Sequence, residues 1–278
     1  MLFIWILQLL LFISVLSNMR CSNEFPPILP KYHLMEKCHR SKLGLAAKAR
    51  YTSLISCQRL AIEKKALSLN FSPPEAAESM KDPLEYTCEV LKCAEVDGGT
   101  SLTNDMRFDY YSLYAKPLPN ANSTCIPATG MFYLITQKYN YTEGQNACKN
   151  ISGVLADITS EQRTEALGQM LAGSNVEAAI IGMRRKNEST FYAINGNTLD
   201  CTTYRAWMPG HPRRYYDKYD CAIITRHKMW KSTSCKKRYP IVCELIPGGP
   251  YKRGSIFASR RVDNSTKVMN ETVNSDAN

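Results

Sequence analysis

A chain of 278 residues with eleven cysteines and a formal net charge of +10 suits two domains rather than one, once a leader of about twenty residues is set aside. It carries no HExxH, GxSxG or Walker loop, and its four histidines, His33, His39, His211 and His227, are too few and too scattered for a triad or a zinc site. Neither catalysis nor a bound cofactor is therefore expected.

The first seventeen residues, MLFIWILQLLLFISVLS, form one uncharged apolar run, read as the core of a secretory signal peptide over residues 1–22. A signal anchor is the alternative, because the run lies near the lower limit for crossing a bilayer. No later stretch approaches a spanning length, so the mature chain is expected to be secreted, extracellular and not stably inserted in a membrane. Cleavage after Ser22 removes Cys21 and leaves ten cysteines, an even set; cleavage after Ser17 keeps Cys21 as an odd thiol. Export fits the Asn-x-Ser/Thr triplets at Asn70, Asn122, Asn140, Asn150, Asn187, Asn264 and Asn270, the candidate glycosylation sites.

Residues 23–37, with the Pro-rich NEFPPILPKYH, read as a linker. In SLISCQRLAIEKKALSLNFSPP, Leu54, Cys57 and Ala61 recur at helical spacing, whereas Leu67, Leu69 and Phe71 alternate as in a strand. TCEVLKC follows with Cys88 and Cys93, in a CxxxxC spacing unlike redox or zinc pairs, and RFDYYSLYAKP reads as another strand closed by proline. Together these make a small α+β domain over residues 38–116. The order SCQRLAIEKKALSLNFSP, CEVLKC and DYYSLY resembles the PAN/apple-like modules of secreted arthropod proteins. Leu60 and Ala61 stand where most such modules carry a second helix cysteine.

KPLPNANSTC supplies an exposed boundary, with residues 117–124 as a second linker. Beyond it, YTEGQNACKN and TSEQRTEALGQMLAG read as two short helices, the second opening with Thr159 and Gln162 in capping-box spacing and closing at Gly173. Strand-like runs follow at EAAIIGM, FYAI, DCAIIT and PIVCE. Two helices beside several short antiparallel strands again make an α+β domain, over residues 125–246. Residues 247–278 lack apolar periodicity and are expected to be a disordered tail.

The series YNYTEGQNACKNISGVLADITSEQ, AIIGM, AWMPGHP, DC, MWKSTSC and YPIVCE resembles the C-type lectin-like fold. Ten positions separate His211 from Cys221, nine more reach Trp230, five more Cys235 and eight more Cys243, as in that family. The resemblance implies disulfides Cys148–Cys243 and Cys221–Cys235. Their loops of about 95 and about 15 residues would contribute about 4.7 and about 3 kcal/mol by chain entropy. Cys38, Cys57, Cys88, Cys93, Cys125 and Cys201 remain, with fifteen possible pairings. Joining Cys38 to Cys125 would close the first module, and Cys201 has no assigned partner.

Sugar-binding members of the family hold calcium with carboxylate and amide oxygens at the positions of His211 and Arg213, on either side of a proline matched by Pro212, at that of Tyr219, and at those of Lys231 and Ser232. Calcium takes six to eight oxygens, and a cation about 4 Å from it adds repulsion of about twice the 1 to 4 kcal/mol of a unit pair in water or at a protein surface. No calcium, and no other metal, is therefore expected here. Between Arg205 and Arg238 the chain carries ten lysines and arginines against two aspartates, a net of +8. Arginine forks bind sulfate, carboxylate and phosphate. The candidate ligand-binding residues are Arg213, Arg214, Tyr215, Tyr219, Lys228, Trp230 and Lys231, with Tyr216 close by. The expected partner is an acidic polysaccharide or an extracellular-matrix protein, and nucleic acid is a poor fit for an exported glycoprotein.

Three functions follow from these residues. The first is calcium-independent binding of an acidic glycan or matrix component. The second is a structural, adhesive role in an extracellular matrix, since an apple-like module joined to a C-type lectin-like domain resembles secreted insect cuticle-associated proteins. The third is calcium-dependent carbohydrate binding. Trp230 also has a plain structural reading as a core residue, with the lysines around it keeping a surface loop soluble.

Overall fold

A computed structural model describes residues 30–78, 84–99, 101–116, 118–186, 190–213 and 218–247. The first half comprises β1 (His33–Glu36), β2 (His39–Arg40), β3 (Leu45–Ala49), α1 (Leu54–Glu63), β4 (Ser68–Phe71), α2 (Pro74–Glu78), β5 (Cys88–Leu91), β6 (Thr103–Asn104) and β7 (Asp109–Ser112). Helix α1 starts where the Ser53 side chain accepts the Ser56 N–H, and it turns Cys57 and Ala61 inward, four residues apart on one face. It ends at Lys64, and Lys65 has a φ of +50°. The five-stranded antiparallel sheet runs β1-β7-β4-β5-β3, and Cys57 of α1 is bridged to Cys88 of β5.

The helix-then-strand pattern read at residues 54–71 matches α1 and β4, but the linker boundaries shift. His33–Glu36 is not linker, since it pairs with β7 while Tyr32 is buried and donates to the Ala66 carbonyl at 2.7 Å. Asn70 is also a correction. It is 0 % exposed, and its Nδ2, the atom a glycan needs, donates to the Ser41 carbonyl at 2.8 Å and to Glu89 Oε2 at 3.1 Å. Of the other triplets, Asn122 and Asn150 are exposed and Asn140 half-buried; Asn187, Asn264 and Asn270 lie outside the described residues, as do the signal segment and the tail beyond Pro247.

The second half comprises β8 (Ser123–Ile126), β9 (Gly130–Tyr139), α3 (Tyr141–Asn150), β10 (Gly153–Leu155), α4 (Glu161–Gly173), β11 (Ala178–Lys186), β12 (Thr190–Ala193), β13 (Cys221–Thr225), β14 (Trp230–Thr233) and β15 (Tyr239–Leu245). Six strands run β14-β13-β11-β15-β9-β8, with β10 beside β15 and β12 beside β11; β11 and β15 are parallel and the other pairs antiparallel. The capping box belongs to α3, where Asn140 and Glu143 satisfy each other's backbone donors. Helix α4 is capped by Ser160 rather than Thr159, and Gln162 reaches the Pro127 carbonyl instead. A hydroxyl one residue nearer the helix meets the Arg163 N–H, so the expected spacing is displaced by one.

Cys148 of α3 is bonded to Cys243 of β15 and Cys221 of β13 to Cys235. Cys125 pairs with Cys93, not with Cys38. Cys38 is a free thiol in the turn between β1 and β2, with φ +55° and its N–H donated to Asp109 Oδ1 at 3.0 Å. Cys201 is disulfide-bonded.

The Cys93–Cys125 bridge crosses the boundary between the halves, which is not a free linker: Leu118 is buried and forms a bridge with Val96, and Ser123–Ile126 is paired with β9. One apolar cluster draws Leu67, Leu69, Leu113 and Tyr114 from the first half and Met131 and Leu245 from the second. The Met131 N–H donates to the buried Tyr114 hydroxyl at 3.0 Å.

Candidate functional site

The site lies where the loop between β12 and β13 returns over β14. Three aromatic contacts fix that loop: Tyr204 and Trp207 meet Trp230 edge-on at centroid distances of 5.5 and 5.6 Å, and Phe191 meets Trp207 at 5.0 Å. Backbone bonds add to them, Trp230 N–H to the Ala206 carbonyl at 2.7 Å and Met208 N–H to the Trp230 carbonyl at 2.9 Å. Gly210, at φ +79°, turns the chain, and the His211–Pro212 peptide is cis.

His211 and Arg213 then converge on β14. The Ser232 N–H donates to His211 Nδ1 at 3.0 Å, the Ser232 hydroxyl lies 3.0 Å from the same nitrogen, and that hydroxyl accepts the Arg213 N–H at 2.9 Å. Burial, then the charges of Arg213 and Lys231, hold the His211 imidazole below its ordinary pKa, which keeps Nδ1 an acceptor. The Arg213 carbonyl accepts from Arg185 Nη2 at 3.1 Å, and Arg185, itself buried, lies over the Phe191 ring at 4.8 Å. The exposed Arg213 guanidinium lies 5.0 Å from the Tyr219 ring centre and donates through Nη1 to the Tyr219 hydroxyl at 3.0 Å.

Arg213 and Tyr219 thus come together beside His211, and Lys231, the neighbour of Ser232 in β14, is within electrostatic reach of that imidazole. Lys237 extends the group: it lies 5.3 Å from the Tyr239 ring centre and within electrostatic reach of Tyr219. Its position in SCKKRYP carried no signal beyond the general basicity. Ser232 was legible only as a position in the family pattern, and Arg185 lay beyond the strand-like run EAAIIGM and carried no signal.

Two candidates leave the set. Trp230 is 0 % exposed and its Nε1 donates to Thr164 Oγ1 at 3.1 Å, so it is a core residue and offers no face to a ligand. Lys228 turns toward α4, where Nζ meets Glu165 Oε1 at 3.2 Å and its stem packs against Gly168. Arg214, Tyr215 and Tyr216 lie outside the described residues.

Among the described residues the donor set does not fit calcium. The Ser232 hydroxyl is buried and engaged by His211 and Arg213, the Tyr219 hydroxyl is engaged by Arg213, and Asp220, beside the loop, faces Arg185 at 4.0 Å. Among the described residues His211, Arg213, Tyr219 and Ser232 at the matching positions are bonded to one another, and Arg213 and Lys231 leave the charge there positive.

Residues 137–245 match the family model described as Lectin C-type domain. The chain contains a C-type lectin-like domain. That domain is similar to collectin-11 of Bos taurus, 22 % identical over 116 residues, which are 41 % of this chain and 43 % of the relative. It is also similar to collectin-43 of Bos taurus, 27 % identical over 109 residues, 38 % of this chain and 33 % of that one, and to pulmonary surfactant-associated protein D of Sus scrofa, 26 % identical over 108 residues, 38 % and 28 %. The chain thus spans less than half the length of these relatives. Among solved structures, human lithostathine is 17 % identical with a TM-score of 0.40, covering 45 % of this chain and 97 % of its own. The carbohydrate-recognition domain of cow CD23 is 21 % identical with a TM-score of 0.40, covering 45 % and 94 %.

Proposed function

We propose that the C-type lectin-like domain binds an acidic glycan of the extracellular space without calcium, through the face formed by Arg213, Tyr219, Lys231 and Lys237. The observation that carries this reading is the pair Arg213 and Lys231, both within electrostatic reach of His211 and neither in an ion pair among the described residues. Other cations of the basic segment are engaged: Arg226 by Glu177 at 2.9 Å, Lys228 by Glu165 at 3.2 Å and Arg238 by Glu143 at 2.9 Å. Concentrated unpaired charge favours encounter with a polyanion, and arginine suits its oxygens.

The test is retention on an immobilised sulfated glycan and on a neutral polysaccharide across a sodium chloride gradient, with and without chelator. Retention on the sulfated support that falls with salt, ignores chelator and drops in the Arg213→Ser, Lys231→Ser, Lys237→Ser variant supports the reading. Chelator-sensitive retention, or retention unchanged in that variant, overturns it. Lys228→Ser is the matched control, expected to elute with the parent.

One observation favours a second reading, in which the protein joins components of an extracellular matrix. The two halves share a core and the Cys93–Cys125 bridge, which would hold two binding faces at fixed separation. Antibody staining confined to the circulation, with none in an epithelial matrix, would count against this adhesive role.

A further inference from the structure

We propose that Arg213 is the seat of a discrete oxyanion subsite, one that takes a single sulfate ester or carboxylate rather than a diffuse cloud of negative charge. This rests on the reading of the face as an acidic-glycan site and names the group at its centre. An ordinary surface arginine spends the rotamer freedom of its long side chain when it binds.

Arg213 gives up part of that freedom at Tyr219, and its backbone is anchored as well. Ser232 Oγ holds its N–H at 2.9 Å, Arg185 Nη2 holds its carbonyl at 3.1 Å, and the Tyr219 ring and hydroxyl hold its guanidinium. Both backbone clamps are buried side chains, so the anchor is fixed from inside the fold. Only Nη1 is engaged by Tyr219, and no hydrogen bond reaches Nε or Nη2 among the described residues. The free Nε and Nη2 edge is the one that meets two oxygens of an oxyanion side by side. Lys231, next to the clamping Ser232 in β14, adds a second positive charge within electrostatic reach of His211. Pre-organised donors bind with less ordering cost, the general reason such a group outperforms a mobile one.

The experiment titrates the isotope-labelled full chain with sodium sulfate, and separately with sodium acetate, at ionic strength held constant with sodium chloride. It follows the Arg213 Nε–H and His211 ring resonances. The expected result is a saturable shift of both signals with sulfate or acetate, the arm that saturates at lower concentration naming the ester or the carboxylate as the source. Arg213→Lys, which keeps the charge and removes the fork, is expected to weaken the midpoint read at His211 at least tenfold. Tyr219→Phe, which keeps the ring and removes the hydroxyl, should weaken it less. Shifts that never saturate in either arm, or a midpoint unchanged in Arg213→Lys, overturn the subsite. Small-anion binding is read without any polymer, so its failure is distinct from that of the glycan reading, which salt-sensitive retention decides.

Discussion

Trp230 places its whole indole inside the domain, against Tyr204 and Trp207, and satisfies its one polar hydrogen on Thr164. Trp230→Ala should cost about 3–5 kcal/mol in denaturant unfolding, the range for emptying a large aromatic site, and a cost under 1 kcal/mol would show that the ring is not a core residue. His211 gives a prediction of opposite character. Its folded pKa lies below the ordinary value of 6.5, so the unfolded chain binds the proton first. The contribution of the neutral imidazole is whole above pH 6.5 and is lost as pH falls from there through the folded pKa. An NMR titration should place the ring below 6.5 and show it rising in Arg213→Ser, because one repelling charge is gone; an unmoved or lowered value contradicts the arrangement. At this scale the sequence told residue types but not neighbours. Trp230 and Lys228 sit among the same basic residues as Lys231, yet the alternation of β14 and the turn at Lys228 send them to other partners. Asn70 satisfies its triplet and still faces the interior, because strand β4 is buried at all four positions.

Helix α4 and strand β15 are joined by Arg163, whose Nη1 and Nη2 donate to Glu244 at 2.6 and 2.9 Å while Nη1 also reaches the Asp157 carbonyl at 3.3 Å. Removing one member of a fully buried pair costs about 3–5 kcal/mol. With both side chains 20 % exposed, Arg163→Ala should lose about 2 kcal/mol by thermal unfolding, whereas a loss within error would make the pair decorative. Strand β11 has a tighter requirement at Gly182, where an added Cβ would lie 2.5 Å from the Leu155 carbonyl oxygen. Gly182→Ala should therefore lower the yield of folded protein or the unfolding midpoint more than Gly173→Ala, whose Cβ meets nothing within 4 Å. Elements of strong periodicity, α1, β11 and β13, were legible. Ten-residue β9 was not, because Gly130–Tyr139 mixes an alternating end with a solid apolar run. The cap of α4 was misplaced by a single residue because Thr159 and Ser160 offer the same hydroxyl, and only the backbone decides which one faces the helix.

On the scale of the whole molecule, the spacing of Cys148, Cys221, Cys235 and Cys243 announced the second half through its resemblance to a known family, and the bridges stand there. Cys93–Cys125 was hidden, since pairing depends on which strands meet, not on chain order. The common core predicts one cooperative thermal transition reported equally by probes in both halves; two resolved transitions would mean that the seam contributes little. Tyr114 and Met131 also bear on descent. A segment whose interior is completed by its neighbour is not a portable cassette: spliced alone onto a foreign chain it would carry a raw apolar flank. Substitutions on one side of this suture should be tolerated chiefly when answered on the other, so that the pair is inherited as a single unit.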